Sequence, residues 1–190
     1  MIQLSRAKVN KRIPKNRFGG DLGCIDTIVW AYKISPDTTD LHAGNTVEEF
    51  QIFEITPKAA GVKPQALKAI QKEIPYPILF ITSTLNYFAI EGEIMESGKK
   101  FLENDTLLLD VKSTKLTDLY EAIAEAFITT ARRSGETIPQ LIARKNAITK
   151  LDKDIANLQR KTDSEKQPNK RIELNNELKK LKVTKEDFQL

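Results

Sequence analysis

Leu141 to Leu190 reads LIARKNAITKLDKDIANLQRKTDSEKQPNKRIELNNELKKLKVTKEDFQL, and this stretch decides the architecture. Ile148, Leu151, Ile155 and Leu158 follow one another at alternating steps of three and four, which draws a single narrow apolar stripe on a helix. Leu174, Leu178, Leu181 and Phe188 draw a second stripe. Sixteen residues separate Leu158 from Leu174, so the two stripes cannot share the face of one straight helix. The chain has to break between them. In Lys161-Thr-Asp-Ser-Glu-Lys-Gln-Pro168, Ser164 and Gln167 stand at capping-box spacing, Asp163 and Glu165 suit a helix N-terminus, and Pro168 falls in a new first turn. This pattern predicts a coiled-coil-like helical hairpin with arms of about 20 residues, each reaching roughly 30 Å. The alternative is one kinked helix lying on the body.

Outward from the hairpin, the remaining chain has the length of one hydrophobic core, and the whole reads as a basic arm (1–20), a mixed α/β core (21–135) and the hairpin (136–190). The expected fold class is α+β, a small mixed β-sheet with packed helices. Ile28 to Ile34 alternates as a strand, and Val47 to Ile55 is a second, closed by Pro57. Pro64 opens a helix on Leu67, Ile70 and Ile74 that Pro75 stops. Pro77 to Thr82 suits a strand buried on both faces. Tyr87 to Ile94 should pair beside it through Thr82-Ser-Thr-Leu-Asn86, and Leu107 to Val111 adds another strand. Thr117 is a plausible N-cap for a helix carrying Leu119, Tyr120, Ile123, Ala126 and Phe127 on one side.

Composition narrows the chemistry. Cys24 is the only cysteine and His42 the only histidine, so neither an internal disulfide nor a soft-ligand zinc site can form. His42 lies in the turn-rich Asp40-Leu-His-Ala-Gly-Asn-Thr46, where a solvated loop histidine is the simpler reading, and Cys24 reads as a small buried hydrophobe. No apolar run is long enough to span a bilayer and Met1 to Val9 has no signal-peptide centre, so a cytoplasmic protein is expected. There is no Walker loop, dinucleotide turn or serine-nucleophile elbow. Nothing calls for a cofactor unless the chain is a nuclease, in which case magnesium is required.

Charge is segregated. Residues 1–18 carry six basic and no acidic groups, 141–190 carry thirteen and eight, and 19–140 carry eleven and eighteen. Basic ends on an acidic body can recruit nucleic acid, with Lys11, Arg12, Lys15 and Arg17 as phosphate contacts. The bland alternative is a solvated helical surface plus an arm docked on the body. Phe18, Trp30 and Tyr32 lie near the arm and permit base stacking, although sheet alternation already accounts for Trp30 and Tyr32 as core.

A strand carrying Glu54, a crossover helix and a buried strand fit part of a nuclease core in which carboxylates hold magnesium, with Asp40 and Glu54 as the pair to test. The lysine departs from that pattern. Thr56 occupies the position two after Glu54, and Lys58 lies two further on.

Three segments carry a family likeness: Lys11-Arg-Ile-Pro-Lys, Ile74-Pro-Tyr-Pro-Ile-Leu-Phe80 and Glu165-Lys-Gln-Pro-Asn-Lys-Arg-Ile-Glu-Leu-Asn175. Over nearly its whole length the chain resembles the bacterial and archaeal domain of unknown function family 4391. The resemblance implies an accessory role in a DNA-defence locus, beside restriction-type methyltransferases and helicases, and carries no catalytic residues onto this sequence. Pro168 departs from the aromatic residue expected in the family's hairpin segment. The functional expectation is a non-enzymatic interaction module whose hairpin holds a protein partner, a methyltransferase or helicase, through Lys170, Arg171, Leu174, Leu178 and Leu181. Leu174, Leu178 and Leu181 would either close the hairpin or meet the partner. A divergent magnesium nuclease and a structural coiled-coil homodimer are the alternatives.

Overall fold

The computed structural model of the chain describes residues 1–44, 47–59, 61–109, 111 and 114–189. They form an α+β fold in two compact units, Met1–Thr129 and Thr130–Leu190. The first unit holds β1 (Ile2–Gln3), β2 (Lys8–Arg12), β3 (Ile25–Ile34), β4 (Phe50–Pro57), α1 (Pro64–Lys72), β5 (Ile78–Ile81), β6 (Asn86–Ile90), β7 (Glu93–Ser97), β8 (Leu102–Glu103), β9 (Thr106–Leu107) and α2 (Leu116–Phe127). The second holds α3 (Ile138–Ser164) and α4 (Pro168–Gln189).

A six-stranded sheet of order β2-β3-β4-β5-β6-β7 is the frame of the first unit, and β1-β9-β8 form a smaller one. All pairings in the large sheet are antiparallel except β4 with β5. That parallel pair needs a crossover, and α1 supplies it. Because strand side chains alternate, the row Phe53, Phe80 and Tyr87 faces one side and the row Ile52, Leu79, Phe88 and Met95 the other. Leu67 and Ile70 of α1 pack into the first side, in a core shared with Ile28, Ile55 and Ile78. On the second side the Phe88 ring meets Tyr120 and Phe127 of α2, and Phe127 stacks on Phe101 at 4.7 Å between centroids. The strand Pro77 to Thr82, expected to be buried on both faces, has Ile78, Leu79 and Phe80 fully enclosed.

Several local expectations need correction. Residues 1–20 are no separate arm: Leu4, Ala7, Ile13 and Phe18 are buried, and the bases between them sit on strands and short turns. Apolar anchors spaced among cations fasten the segment to the sheet, with Lys8 opposite Tyr32 and Lys11 opposite Trp30. Gly20 holds φ at 87° and a Cβ there would stand 3.1 Å from Ala69, so the turn that leads out of this segment requires glycine. The strand expected over Tyr87 to Ile94 divides at Glu91-Gly92, which supply the two positive φ values (49° and 74°) of a tight hairpin turn between β6 and β7. Of Leu107 to Val111 only Leu107 is strand among the described residues, and Asp110 lies outside them. Lys115, not Thr117, is the N-cap of α2. The buried Leu116 and the backbone bridge from His42 to Lys115 set where that helix begins.

In the second unit the hairpin forms as expected, but its cap lies elsewhere. Ser164 ends α3 with its hydroxyl bonded to the Lys161 carbonyl, so it cannot cap α4, while Pro168 opens α4. The capping box is at the other end of α3, where Thr137 accepts from the Gln140 amide and the Gln140 side chain accepts from the Thr137 amide. The unit begins near 130 rather than 136 because Arg144 reaches back to the carbonyl of Ala131. No helix among the described residues is long and apolar enough to cross a membrane.

Candidate functional site

The first unit holds a cleft of about 390 Å3, lined by residues of β2, β3, β4 and β5 and of the β8–β9 hairpin. Asn104 and Asp105 form that hairpin's tip with φ of 46° and 58°, a geometry that a two-residue turn demands and that Asn and Asp tolerate. Asn10, at 50°, sits where the register of β2 against β3 shifts. These positions deliver three polar side chains to the cleft from opposite walls.

At its centre Tyr32 donates its phenolic proton to Asp105, and the Lys8 ammonium stands 3.1 Å from both oxygens of the same carboxylate. Burial, the bond to Asp105 and the charges of Asp105 and Glu54 push the Tyr32 phenol well above its ordinary value. The bonds from Tyr32 and Lys8 hold Asp105 below the usual carboxylate range. A phenol so disposed keeps its proton at neutral pH, so it can serve neither as base nor as nucleophile. What the trio does is lock the β8–β9 hairpin to the sheet edge.

Glu54 lines this cleft on β4, as the nuclease reading needs. Its proposed partner does not: Asp40 is exposed, pairs with Arg6 and is not among the lining residues. Lys58 follows the end of β4, its backbone amide bonded to the Cys24 carbonyl. Of the other lining carboxylates, Asp105 is held by Tyr32 and Lys8, and Glu103 is paired with Lys100. Among the described residues no three His, Cys, Asp or Glu side chains gather as a metal site. The residues present therefore do not fit the two-carboxylate magnesium site, and no hydrolytic step follows from them.

The N-terminal cations are largely engaged within the fold. Lys15 donates to the Ile25 carbonyl at 2.9 Å, Arg12 to the Thr27 hydroxyl at 3.3 Å, and Lys8 and Arg6 pair with Asp105 and Asp40. Lys11 and Arg17 are exposed. Trp30 stacks on Phe53 and belongs to the α1 side of the sheet, as its alternation required.

In the hairpin Leu178 is buried, with Leu174 and Leu181 half-buried beside it, and on α3 Ile148, Leu151 and Ile155 are half-buried and Leu158 buried. These side chains close the seam. Lys185 bonds Asp152 at 2.7 Å across it, Lys170 pairs with Glu165, and Arg171 is exposed. At the base Arg144, 7% exposed, binds both oxygens of Glu136 at 2.7 Å and the carbonyls of Ala131 and Phe188. Its guanidinium, aided by the Arg133 amide, lowers the Glu136 carboxyl to about 2. Sequence reading missed two residues that matter here. Ile172 and Val183 of α4 are 59% and 57% exposed, and eleven residues apart they fall on one helix face, outside the seam. Their spacing was legible, but it lay hidden beside the stronger leucine period.

The profile of the domain of unknown function family DUF4391 matches residues 23–184, from the start of β3 to the last turns of α4. No curated protein and no solved structure matches the chain. With most of its length matched, including β3 to β9, the helices of both units and most of the hairpin, the chain belongs to the domain of unknown function family DUF4391.

Proposed function

We propose that this chain is a non-catalytic accessory protein of a restriction-type or phage-defence system, associated with DNA, that holds a protein partner by its C-terminal hairpin. The single observation behind this reading is the pair Ile172 and Val183, large apolar side chains left in solvent on one face of α4 while the leucine stripe is spent on the seam. The two side chains share a face and stand about 16 Å apart along the helix, and an apolar residue at each end of such a face gives a partner two anchoring points. The Tyr32–Asp105–Lys8 trio agrees with a binding role, since these three side chains are taken up in holding one another. A methyltransferase or helicase is the partner class we propose, as the resemblance read from the sequence implies.

Co-expression with the methyltransferase or helicase subunit of such a system tests the reading. Intact protein should co-elute with it, and the double variant Ile172→Glu, Val183→Glu should lose that association with unchanged helicity. Full retention by the double variant removes α4 as the grip. Elution as a dimer that the same variant splits would favour the structural homodimer instead.

A further inference from the structure

We propose that the outer face of α3 is a track for the phosphate backbone of duplex nucleic acid, formed by Lys150, Lys153, Arg160 and Lys161 with Asn157 among them. The inference rests on the DNA-associated half of the function proposed above and gives it a surface.

The division of the chain points to this place. Residues 1–129 carry fifteen basic and seventeen acidic groups, a balance of −2, whereas 130–190 carry fifteen and nine, a balance of +6. The whole basic excess therefore belongs to the hairpin unit. Within it, the seam residues Ile148, Leu151, Ile155 and Leu158 set the inward direction of α3. At about 100° per residue, Lys153 and Arg160 point away from the seam, and Lys150, Asn157 and Lys161 stand on one flank. Asp152 and Asp163 fall on the other flank, where Asp152 bonds Lys185 and Asp163 accepts from Gln159. Asp154 borders the stripe on its seam side and is the one acid adjoining it.

All four cations are exposed, and among the described residues their side chains make no ion pair or hydrogen bond. This contrasts with Arg6, Lys8, Arg12 and Lys15, whose charges and donors are used inside the first unit. From Lys150 to Lys161 the track runs about 16 Å, and one DNA strand presents a phosphate every ~3.4 Å of axis, enough for each cation to find its own. The face holds no large exposed apolar side chain, which a helix lying in a lipid surface would need. Asn157 adds an amide that can donate to phosphate oxygens.

The test uses intact protein and a labelled DNA duplex, with anisotropy read across a sodium chloride series. The variant Lys150→Ala, Lys153→Ala, Arg160→Ala, Lys161→Ala places the best helix former at exposed sites, so its circular dichroism should match that of the wild type. Its log affinity against log salt should be shallower by about three to four, roughly one unit for each phosphate contact removed. Lys11→Ala with Arg17→Ala should change the slope by less. A quadruple variant that keeps the wild-type slope overturns the α3 track while leaving DNA association standing; wild-type protein that binds no duplex at low salt overturns both. Sedimentation of the wild type, but not the quadruple variant, with phosphatidylserine vesicles in the absence of duplex binding would assign the face to a membrane and overturn the proposal.

Discussion

Arg144 and Glu136 show how much one buried ion pair decides in a small helical unit. Removing the guanidinium by Arg144→Ala leaves a carboxylate with 9% of its side chain exposed and no cation, a change that costs about 3–5 kcal/mol when a buried pair is broken on one side. Chemical denaturation followed by far-ultraviolet circular dichroism should show that loss in the helical signal. The pair also sets an acid limit. A carboxyl lowered on folding stabilises fully above its unfolded value and loses that stabilisation as pH falls through its folded value, so the hairpin should weaken progressively from about pH 4.5 toward about 2. Glu136→Gln should flatten that part of the acid titration. In the first unit, Tyr32→Phe deletes a charge-assisted bond to Asp105 and should lower the midpoint of thermal or chemical melting. The Tyr32–Asp105 pair was not legible beforehand, since the two stand 73 residues apart.

The elements were more legible than the pairs. Proline at the start of α1 and α4, the apolar steps of three and four in the hairpin, and the continuous apolar run of β5 each reflect a local steric or burial rule, and each element formed where its rule applied. Caps and turns were harder, because Ser164 and Thr117 have capping chemistry yet the helix ends were set by which apolar residue was buried first, Leu116 in the case of α2. Seam and outer face should respond differently to substitution. Leu178→Ala should destabilise the hairpin by about 2–5 kcal/mol, whereas Ile172→Ala should stay within roughly 0.5 kcal/mol, both read from helical unfolding. Thr137→Ala should cost about 1 kcal/mol by removing the box that opens α3.

For the molecule as a whole, the charge map sets the expected solution behaviour. A first unit near balance and a second at +6 should bind polyanions through the second, with affinity falling steeply as salt rises. Incubation with plasmid and magnesium should leave the DNA intact, and Glu54→Ala should bind as the wild type does, because Glu54 has no second free carboxylate among the residues lining its cleft. Cleavage that Glu54→Ala abolishes would instead establish the nuclease. Of the candidate sites named from the sequence, Glu54 alone among the acidic pair reached a cleft, and the leucines reached a seam.

The order of amino acids was enough to determine a mixed sheet with a helix joining two of its strands and a charged helical hairpin, because period, proline position and apolar run length act over a few residues. Tertiary structure alone decided that the first twenty residues are strands and turns of the sheet unit, that their cations are mostly engaged, and that Ile172, Val183 and the outer bases of α3 stay in solvent. Those outcomes depend on which distant groups meet, such as Lys8 with Asp105 or Arg144 with the carbonyl of Phe188, and no local pattern encodes such meetings.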